Sequence, residues 1–344
     1  MQLYGALQID SGIIISVAHG STFFSGEYLL LDCFFMVLSP FAPASHSTVT
    51  FSGHPAGVIA KDRLALLGSF EQVRLPARAA VRKLFPGGIA AVTLQEGMDQ
   101  VSWHYYPQQS RRGPIASRRA FPARLLDPKN LDEVGYWADR IREWRDAFAP
   151  GKPIWLSETG NAQFGGEPGL SDVYLGGLWW LDQLGLLAQK GEDVVVRQTL
   201  SGMNYGLIDD ETLSPRADYW NSLVWKKLMG QKVYRTSLLN ESPRLRVYAH
   251  SSIRENCHEP VFLVINLDPD KKADVSFPDM FGRSFTTYVF TTRDIFSNHL
   301  LLNGEELRLE NGRLPAIQGQ RRDKSTAASV TLLPLSYAFV DFCE

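Results

Sequence analysis

The sequence predicts an α/β protein in which parallel strands wrapped by helices precede an antiparallel β domain. Two observations carry this prediction. Between residues 99 and 232, short apolar runs alternate with longer stretches whose apolar residues recur every three or four positions, which is typical of a βαβα succession. After residue 232, strand-like runs follow one another with turn signals between them. We therefore divide the chain into residues 1–98, 99–232 and 233–344.

The middle region alternates three predicted strands with three predicted helices. Pro150-Gly151 ends the first helix, and a loop with four glycines follows the second strand. Asn130 and Asp132 are candidate caps for the first helix, and Ser171 for the second. The predicted elements in chain order are the strand Val101–Tyr106, a helix from about residue 130 to Ala149, the strand Pro153–Leu156, a helix from Ser171 to Leu187, the strand Asp193–Leu200 and a helix over residues 216–229.

The last 112 residues predict an antiparallel β domain. Asn303-Gly304 and Asn311-Gly312 are hairpin turn signals. The predicted strands are Leu245–His250, Val261–Asn266, Phe285–Phe290, Leu307–Leu309 and Leu332–Asp341.

The first 98 residues give weaker signals. A helix is predicted from about Phe70 to Leu84, ending before Pro86-Gly87-Gly88.

Composition excludes several classes of protein. The chain has 344 residues, 44% of them apolar and 21% charged, with a formal net charge of -2. That balance gives no global attraction to nucleic acid or to an anionic membrane, so no nucleic-acid partner is expected. The aromatic content of 11% suits either a sugar-binding cleft or a large core. No signal peptide is recognised, and the apolar run Tyr28–Leu38 is too short to span a bilayer. We expect either a cytoplasmic chain, or an extracellular or periplasmic one whose export signal is absent from this sequence.

Polar side chains follow the predicted strands at their carboxyl ends, where parallel β/α folds place their functional groups. Glu158 comes after the strand Pro153–Leu156, and His104 lies near the end of Val101–Tyr106. A carboxylate at a strand end can act as a nucleophile or as an acid and base. From the residues alone, a helix-capping or arginine-paired Glu158 is an equal alternative.

Residues 99–344 resemble the heparanase-like glycoside hydrolases, glycoside hydrolase family 79, which cleave β-glucuronosyl linkages. The resemblance lies in nine segments that occur in the family's order. They are QVSWHYY, PGKPIWLSETGNAQFGGEPGLSD, LWWLDQLGLLAQKGEDVVVRQ, MNYGLID, DYWNSLVWKKLMGQKV, LRVYAHSS, VINLD, LNGEEL and LPLSYAFV.

The resemblance implies a (β/α)₈ TIM barrel, here incomplete at the N-terminus, followed by an antiparallel β-sandwich. Residues 1–98 would then be a remnant of the first half of the barrel. It also implies a retaining mechanism in which Glu158 is the nucleophile and a second carboxyl group, about 5–5.5 Å away, is the acid and base. The substrate would be a glucuronide or an acidic polysaccharide. No metal or organic cofactor is implied.

Further positions match the family's substrate-binding residues. His104 would orient the nucleophile or contact sugar, and Tyr205 would lie near the uronate carboxylate, which the backbone N–H groups of Gly165 and Gly166 would grip. Packing in the core remains the alternative for Tyr205, and a simple turn for the glycines. The matched binding positions are His104, Tyr106, Gln163, Gly165, Gly166, Asn204 and Tyr205, with Gln163 standing where heparanase has an aromatic residue.

Two further features accompany the resemblance. Five arginines crowd the loop after Tyr106, and they predict either contacts with an acidic glycan or a solvated loop; they are Arg111, Arg112, Arg118, Arg119 and Arg124. The resemblance also implies a disulfide between Cys257 and Cys343, which would favour an exported protein.

The family's acid/base glutamate is not recognisable in this sequence. It should follow an asparagine about 70 residues before His104, where Glu27 is the weak candidate. We therefore expect one of three proteins: a retaining β-glucuronosyl hydrolase, an inactive relative that binds acidic glycans, or a truncated gene product.

Overall fold

The computed structural model describes residues 100–239, 242–323 and 328–343, together with the backbone of four short strands before them. Those strands are β1 (Leu7–Ile9), β2 (Ile13–Ser16), β3 (Phe35–Val37) and β4 (Thr48–Ser52). The predicted helix Phe70–Leu84 and the candidate acid Glu27 lie outside the described residues.

The chain forms two compact units, each assembled from separate segments. The first contains Met1–Tyr105, Gly135–Thr159 and Gly191–Gln198. The second contains Tyr106–Val134, Gly160–Lys190 and Thr199–Glu344. The proposed division near residue 232 stays a prediction.

Strands and helices alternate from residue 100 to residue 228, as the sequence predicts. The strands are β5 (Gln100–Tyr105), β6 (Gln108–Gln109), β7 (Ile154–Thr159), β8 (Ala162–Gln163) and β9 (Val194–Arg197). The helices are α1 (Pro122–Leu125), α2 (Pro128–Phe148), α3 (Tyr174–Gln189) and α4 (Ala217–Leu228).

A seven-stranded sheet lies in the first unit, in the order β1-β2-β3-β9-β7-β5-β4. The four strands β4, β5, β7 and β9 run parallel to one another. Strand β3 joins β9 in the antiparallel direction, and β1, β2 and β3 also pair antiparallel. The predicted parallel arrangement therefore holds for four strands of this mixed sheet.

The candidate caps Asn130, Asp132 and Ser171 do not cap the helices for which they were predicted. Helix α2 begins at Pro128, where Oδ1 of Asp127 accepts the N–H of Lys129 at 3.1 Å, so Asn130 and Asp132 lie inside the helix. Helix α3 begins at Tyr174, and its cap position makes no side-chain hydrogen bond. Ser171 instead accepts the N–H of Glu167 and donates to Asn161.

The C-terminal part of the second unit is rich in antiparallel sheet. Its strands are β10 (Met229–Tyr234), β11 (Leu245–Ser252), β12 (Pro260–Asn266), β13 (Ala273–Ser276), β14 (Phe285–Thr291), β15 (Leu301–Leu302), β16 (Glu305–Glu306), β17 (Gln320–Arg322), β18 (Ser329–Leu332) and β19 (Ser336–Asp341). The large sheet has the order β10-β11-β12-β19-β14-β15-β16, with β17 also on β14, and β13 pairs with β18 separately. Val264 and Val340 of the large sheet share one buried core with Val275 and Val330 of the small one.

Two predicted strands of this region are wrong in detail. Leu307–Leu309 is not a strand, because the Asn303-Gly304 turn closes a short hairpin of β15 and β16 just before it. Both turn residues have positive φ, at 51° and 91°, which the asparagine and glycine of such turns tolerate. The run Leu332–Asp341 is split into β18 and β19 at Pro334, which has no N–H to give to a ladder.

A buried ion pair fixes helix α3 to strand β11 within the second unit. Asp182 is fully buried and accepts hydrogen bonds from Nε of Arg246 at 2.8 Å and from the hydroxyl of Tyr248 at 2.6 Å. Asp132 also pairs with Arg246. The ring of Tyr248 lies so close to Gly185 that a Cβ there would meet it at 2.3 Å.

Cys257 and Cys343 are joined by a disulfide, as the resemblance implies, with 5.8 Å between their Cα atoms. Within the described part of the chain, no helix has the length and apolar character needed to cross a membrane.

Candidate active site

An irregularity between β5 and β7 sets the candidate nucleophile opposite a histidine. The register pairs Trp103 with Leu156 and then His104 with Glu158, so that Ser157 is skipped. Such a bulge changes the direction in which the following side chains point. The hydroxyl of Ser157 donates to the carbonyl of Trp103 at 3.3 Å, on the neighbouring strand.

Glu158 and His104 are in contact in the first unit. Nδ1 of His104 lies 3.3 Å from Oε2 of Glu158, and their side chains remain 23% and 12% exposed respectively. The sequence predicts Glu158 after a strand that ends at Leu156, but strand β7 continues to Thr159 and contains Glu158. That position excludes a helix-capping role. It gives a partly accessible carboxylate, held on a rigid strand beside a group that can donate to it.

Trp103, the neighbour of His104, contacts a glutamate that sequence reasoning missed. Its Nε1 donates to Oε2 of Glu192 at 3.2 Å. Burial raises the pKa of the Glu192 carboxyl to about 8, although the bond from Trp103 opposes the shift. The other carboxyl oxygen has no hydrogen-bond partner among the described residues. The only sequence signal was a glutamate two positions before the apolar strand β9.

Arg197, at the end of β9, is also a buried part of the first unit. Its guanidinium is fully buried and donates to the backbone carbonyls of Thr159 and Gln198. We interpret it as a residue that holds the ends of β7 and β9 in place.

The glycine loop belongs to the second unit and has an unusual backbone. Phe164, Gly165 and Gly166 have φ values of 65°, 85° and 78°. A Cβ on Gly166 would lie 2.7 Å from the backbone nitrogen of Tyr205, and one on Gly165 would lie 2.4 Å from the sulfur of Met203. Gly166 is therefore required for its close approach to the backbone of Tyr205, whereas the contact at Gly165 is with the flexible end of a methionine. Both glycines suit their positive φ values.

One of the two backbone amides assigned to the uronate carboxylate is already used inside this loop. The N–H of Gly166 donates to the carbonyl of Ala162 at 3.1 Å, which corrects the expectation that it grips a ligand. The carbonyl of Gly165 accepts the N–H of Asn204 at 2.8 Å. Among the described residues, no hydrogen bond uses the N–H of Gly165.

Two of the arginines are partners of the glycine loop and not simply solvated. Arg111 binds the carboxylate of Glu167 through its backbone N–H and its Nε, each at 2.5 Å. Arg112 donates to the carbonyl of Gly166 at 3.0 Å and to the side chain of Asn204 at 2.9 Å. Asn204 in turn donates to Asp172 at 2.7 Å.

The other predicted binding residues of the second unit differ from one another in burial and in hydrogen bonding. Arg118 reaches the carbonyl of Tyr106 at 3.5 Å, whereas Arg119 is exposed. The rings of Tyr106 and Tyr205 are buried, at 6% and 5% exposure. Gln163 is half-buried in the short strand β8, and its carbonyl accepts the N–H of Ser110.

Sequence reasoning missed the two carboxylates that organise this loop, Glu167 and Asp172. The available signal was a pair of acidic residues within seven positions of Gly165, near an arginine-rich segment. Charge of opposite sign on two nearby loops favours pairing, but it does not say which residues pair.

Comparison with known proteins identifies the relatives of this segment. No family model matches the chain. Heparanase of Rattus norvegicus is 35% identical over 226 residues, which are 62% of this chain and 40% of that protein. The baicalin-β-D-glucuronidase of Scutellaria baicalensis is 34% identical over 54% of this chain and 35% of its own length. The matched segment is related to the heparanase-like glycoside hydrolases.

Two further likenesses bear on function and fold. The human protein named inactive heparanase-2 is 28% identical over 76% of this chain and 48% of its own length. The crystal structure of a 4-O-α-L-rhamnosyl-β-D-glucuronidase from Fusarium oxysporum has a TM-score of 0.56 at 18% identity, covering 72% of this chain and 54% of that one. The latter likeness concerns the fold alone. The chain spans less than half the length of the heparanase-like relatives it matches.

Proposed function

We propose that this chain is a retaining glycoside hydrolase that cleaves β-glucuronosyl linkages in glucuronides or acidic polysaccharides, with Glu158 as its nucleophile. The observation that carries the proposal is the contact between Glu158 and His104 on adjacent parallel strands. Homology to heparanase and to a glucuronidase supports the substrate class.

The chemistry would proceed in two displacements. The Glu158 carboxylate attacks the anomeric carbon while the glycosidic C–O bond breaks, and the leaving oxygen takes a proton from the acid. Water, deprotonated by the same group, then hydrolyses the glycosyl ester and releases Glu158. His104 would hold the carboxylate in the orientation required for attack. The acid is not identified, and Glu27, which lies outside the described residues, stays the weak candidate.

The loops of the second unit would bind the acidic sugar. We assign the contact with the uronate carboxylate of the substrate to the N–H of Gly165 and to the neighbourhood of Tyr205. Gly166 would allow the glycine loop to approach the backbone of Tyr205 closely. The hydrogen bond between Arg112 and Asn204 would hold the arginine-rich loop after Tyr106 against the segment around residue 204. Arg118 and Arg119 remain proposed contacts for a longer acidic glycan.

We further infer that β4, β5, β7 and β9 are part of a (β/α)₈ barrel, and that the C-terminal sheets form a β-sandwich domain beginning near residue 232. The parallel pairing of these four strands supports the barrel. The likeness to the rhamnosyl-glucuronidase supports it too.

Turnover of p-nitrophenyl β-glucuronide tests the proposal. We expect hydrolysis by the wild-type chain and a loss on the order of 10⁴-fold or more in kcat for Glu158→Gln, the scale found when a nucleophile is removed. Glu143→Gln, an exposed glutamate on α2, is the matched control and should keep full activity. A Glu158→Gln protein that is folded and fully active would overturn the assignment.

The second candidate function is a glycan-binding relative without catalysis. It is favoured by the likeness to a protein named inactive heparanase-2. No turnover, together with retained binding to heparan sulfate fragments that Arg118→Ala and Arg119→Ala weaken, would select it.

A further inference from the structure

Glu167 places a fixed negative charge directly beside the glycine loop. It follows Gly166 in the chain and is 5% exposed. Its backbone N–H donates to Ser171 at 2.8 Å, and Ser171 is bonded to Asn161, so the residue is held at its backbone as well as at its carboxylate. A buried carboxylate at this place would repel an acidic sugar.

Arg111 is the counter-charge to that carboxylate. Its Nε and Nη2 both lie 2.5 Å from Oε1 of Glu167, while its own side chain is 65% exposed. The pair therefore joins a buried anion to a cation that solvent and ligands can reach. Arg111 thereby offsets the charge of Glu167. Arg112 and Asp172, which both bind the side chain of Asn204, add one further charge of each sign near the loop.

The same loops are joined by other hydrogen bonds that do not involve this pair. Ser110 donates its N–H to the carbonyl of Gln163 and its hydroxyl to the carbonyl of Phe164, both at 2.9 Å. Arg112 adds the bond to Gly166. Neutralising one member of the pair should therefore change the charge of the loop more than its shape.

We propose that Arg111 determines the preference of the glycine loop for acidic sugars, by cancelling the charge of Glu167. The inference rests on the proposed function, since it takes the loop as the site of the uronate carboxylate. It predicts effects of opposite sign for the two partners, whereas a purely mechanical role predicts effects of the same sign.

The test compares the dissociation constants of p-nitrophenyl 1-thio-β-glucuronide and p-nitrophenyl 1-thio-β-glucoside, whose sulfur linkage resists hydrolysis, measured by ligand-observed NMR. Arg111→Met should weaken glucuronide binding relative to glucoside roughly tenfold, since an uncompensated charge then remains at the loop. Glu167→Gln should increase the preference, because the charge of Arg111 is then no longer offset. The double variant should return to within about threefold of wild type, because neither charge remains.

Two controls sharpen the test. Arg111→Lys keeps the charge but loses the paired geometry, so it should retain most of the preference that Arg111→Met loses. Arg140→Met and Glu143→Gln remove the members of an exposed ion pair on α2 and should change neither constant. Circular dichroism of each variant establishes that it is folded.

The inference is overturned if Arg111→Met and Glu167→Gln reduce the preference alike, if neither changes it, or if wild-type protein binds both sugars equally. Absence of turnover counts against the proposed hydrolase instead, because the binding constants are measured without catalysis.

Discussion

Glu158 on β7 and Asp182 on α3 are both carboxylates on regular elements, and the chain surrounds them differently. The Glu158 side chain remains 12% exposed beside His104. Asp182 has no exposure and accepts bonds from Arg246 and Tyr248. A carboxylate with fully satisfied, buried partners stabilises packing, whereas one with residual access can meet a substrate. The contrast predicts that substitutions at Asp182 lower stability, whereas substitutions at the Glu158–His104 pair lower catalysis.

The largest effect on stability is expected at Asp182. Replacing Asp182 by alanine leaves a largely buried guanidinium and the Tyr248 hydroxyl without this partner, and should lower the free energy of unfolding by about 3–5 kcal/mol. Urea denaturation of wild type and variant measures this loss of unfolding free energy. Burial raises the pKa of Asp182, against the opposing effect of Arg246.

An exposed pair provides the control for that result. Arg140→Met removes the partner of Glu143. Because both side chains are well exposed, the free energy of unfolding should not change measurably. Equal losses at Asp182 and Arg140 would contradict the distinction between buried and exposed pairs.

A smaller effect, this time on catalysis, is expected at His104. His104→Ala removes the contact with Glu158, and we expect kcat to fall by about 10²-fold through misplacement of the nucleophile, with little change in unfolding. Steady-state kinetics and thermal denaturation on the same samples separate the two outcomes. A stability loss like that of Asp182→Ala, with unchanged kcat, would place His104 with the structural residues.

The smallest effect concerns Glu192, a buried carboxyl that forms no ion pair with any described residue, unlike Asp182 with Arg246. Its pKa in the folded state is about 8, above the ordinary value of 4.5, so folding favours the protonated form. Its stabilising contribution is therefore complete below pH 4.5 and is lost as pH rises through 8. Because relaxation and water reduce the cost of a buried charge, we expect a loss on the order of 2 kcal/mol between pH 5 and pH 8.

Glu192→Gln checks this pH dependence. The variant cannot ionise, so its free energy of unfolding should fall less than that of wild type over the same pH interval. Parallel curves for the two proteins would show that the pKa of Glu192 in the folded protein is not raised above its ordinary value.

Local sequence patterns were sufficient for much of the regular structure. The alternation of strands and helices after residue 99 and most strands of the C-terminal sheet follow from apolar periodicity, which depends on neighbours in sequence. The ends of elements were less predictable. Asp127 took the cap expected of Asn130 or Asp132 because the helix began earlier, and Pro334 interrupted an apolar run that otherwise reads as one strand.

The residue types of the candidate site could be proposed from the sequence, but its geometry could not. Glu158 and His104 were recognisable from the resemblance, whereas the skipped Ser157 that sets their register depends on pairing between distant strands. The bond from Arg111 to Glu167 and the engaged N–H of Gly166 are likewise tertiary features. No local pattern in the sequence encodes which of several charges will meet.

Trapping of a covalent intermediate is the most direct test of the proposed attack of Glu158 on the anomeric carbon. Incubation with a 2-deoxy-2-fluoro-β-glucuronyl fluoride should trap the glycosyl ester, because fluorine slows its hydrolysis more than its formation. Peptide mass spectrometry should then find the added 2-fluoroglucuronyl mass on the peptide that contains Glu158, with no label in Glu158→Gln. A label on another carboxylate, or turnover of glucuronide without any trapped ester, would contradict the account.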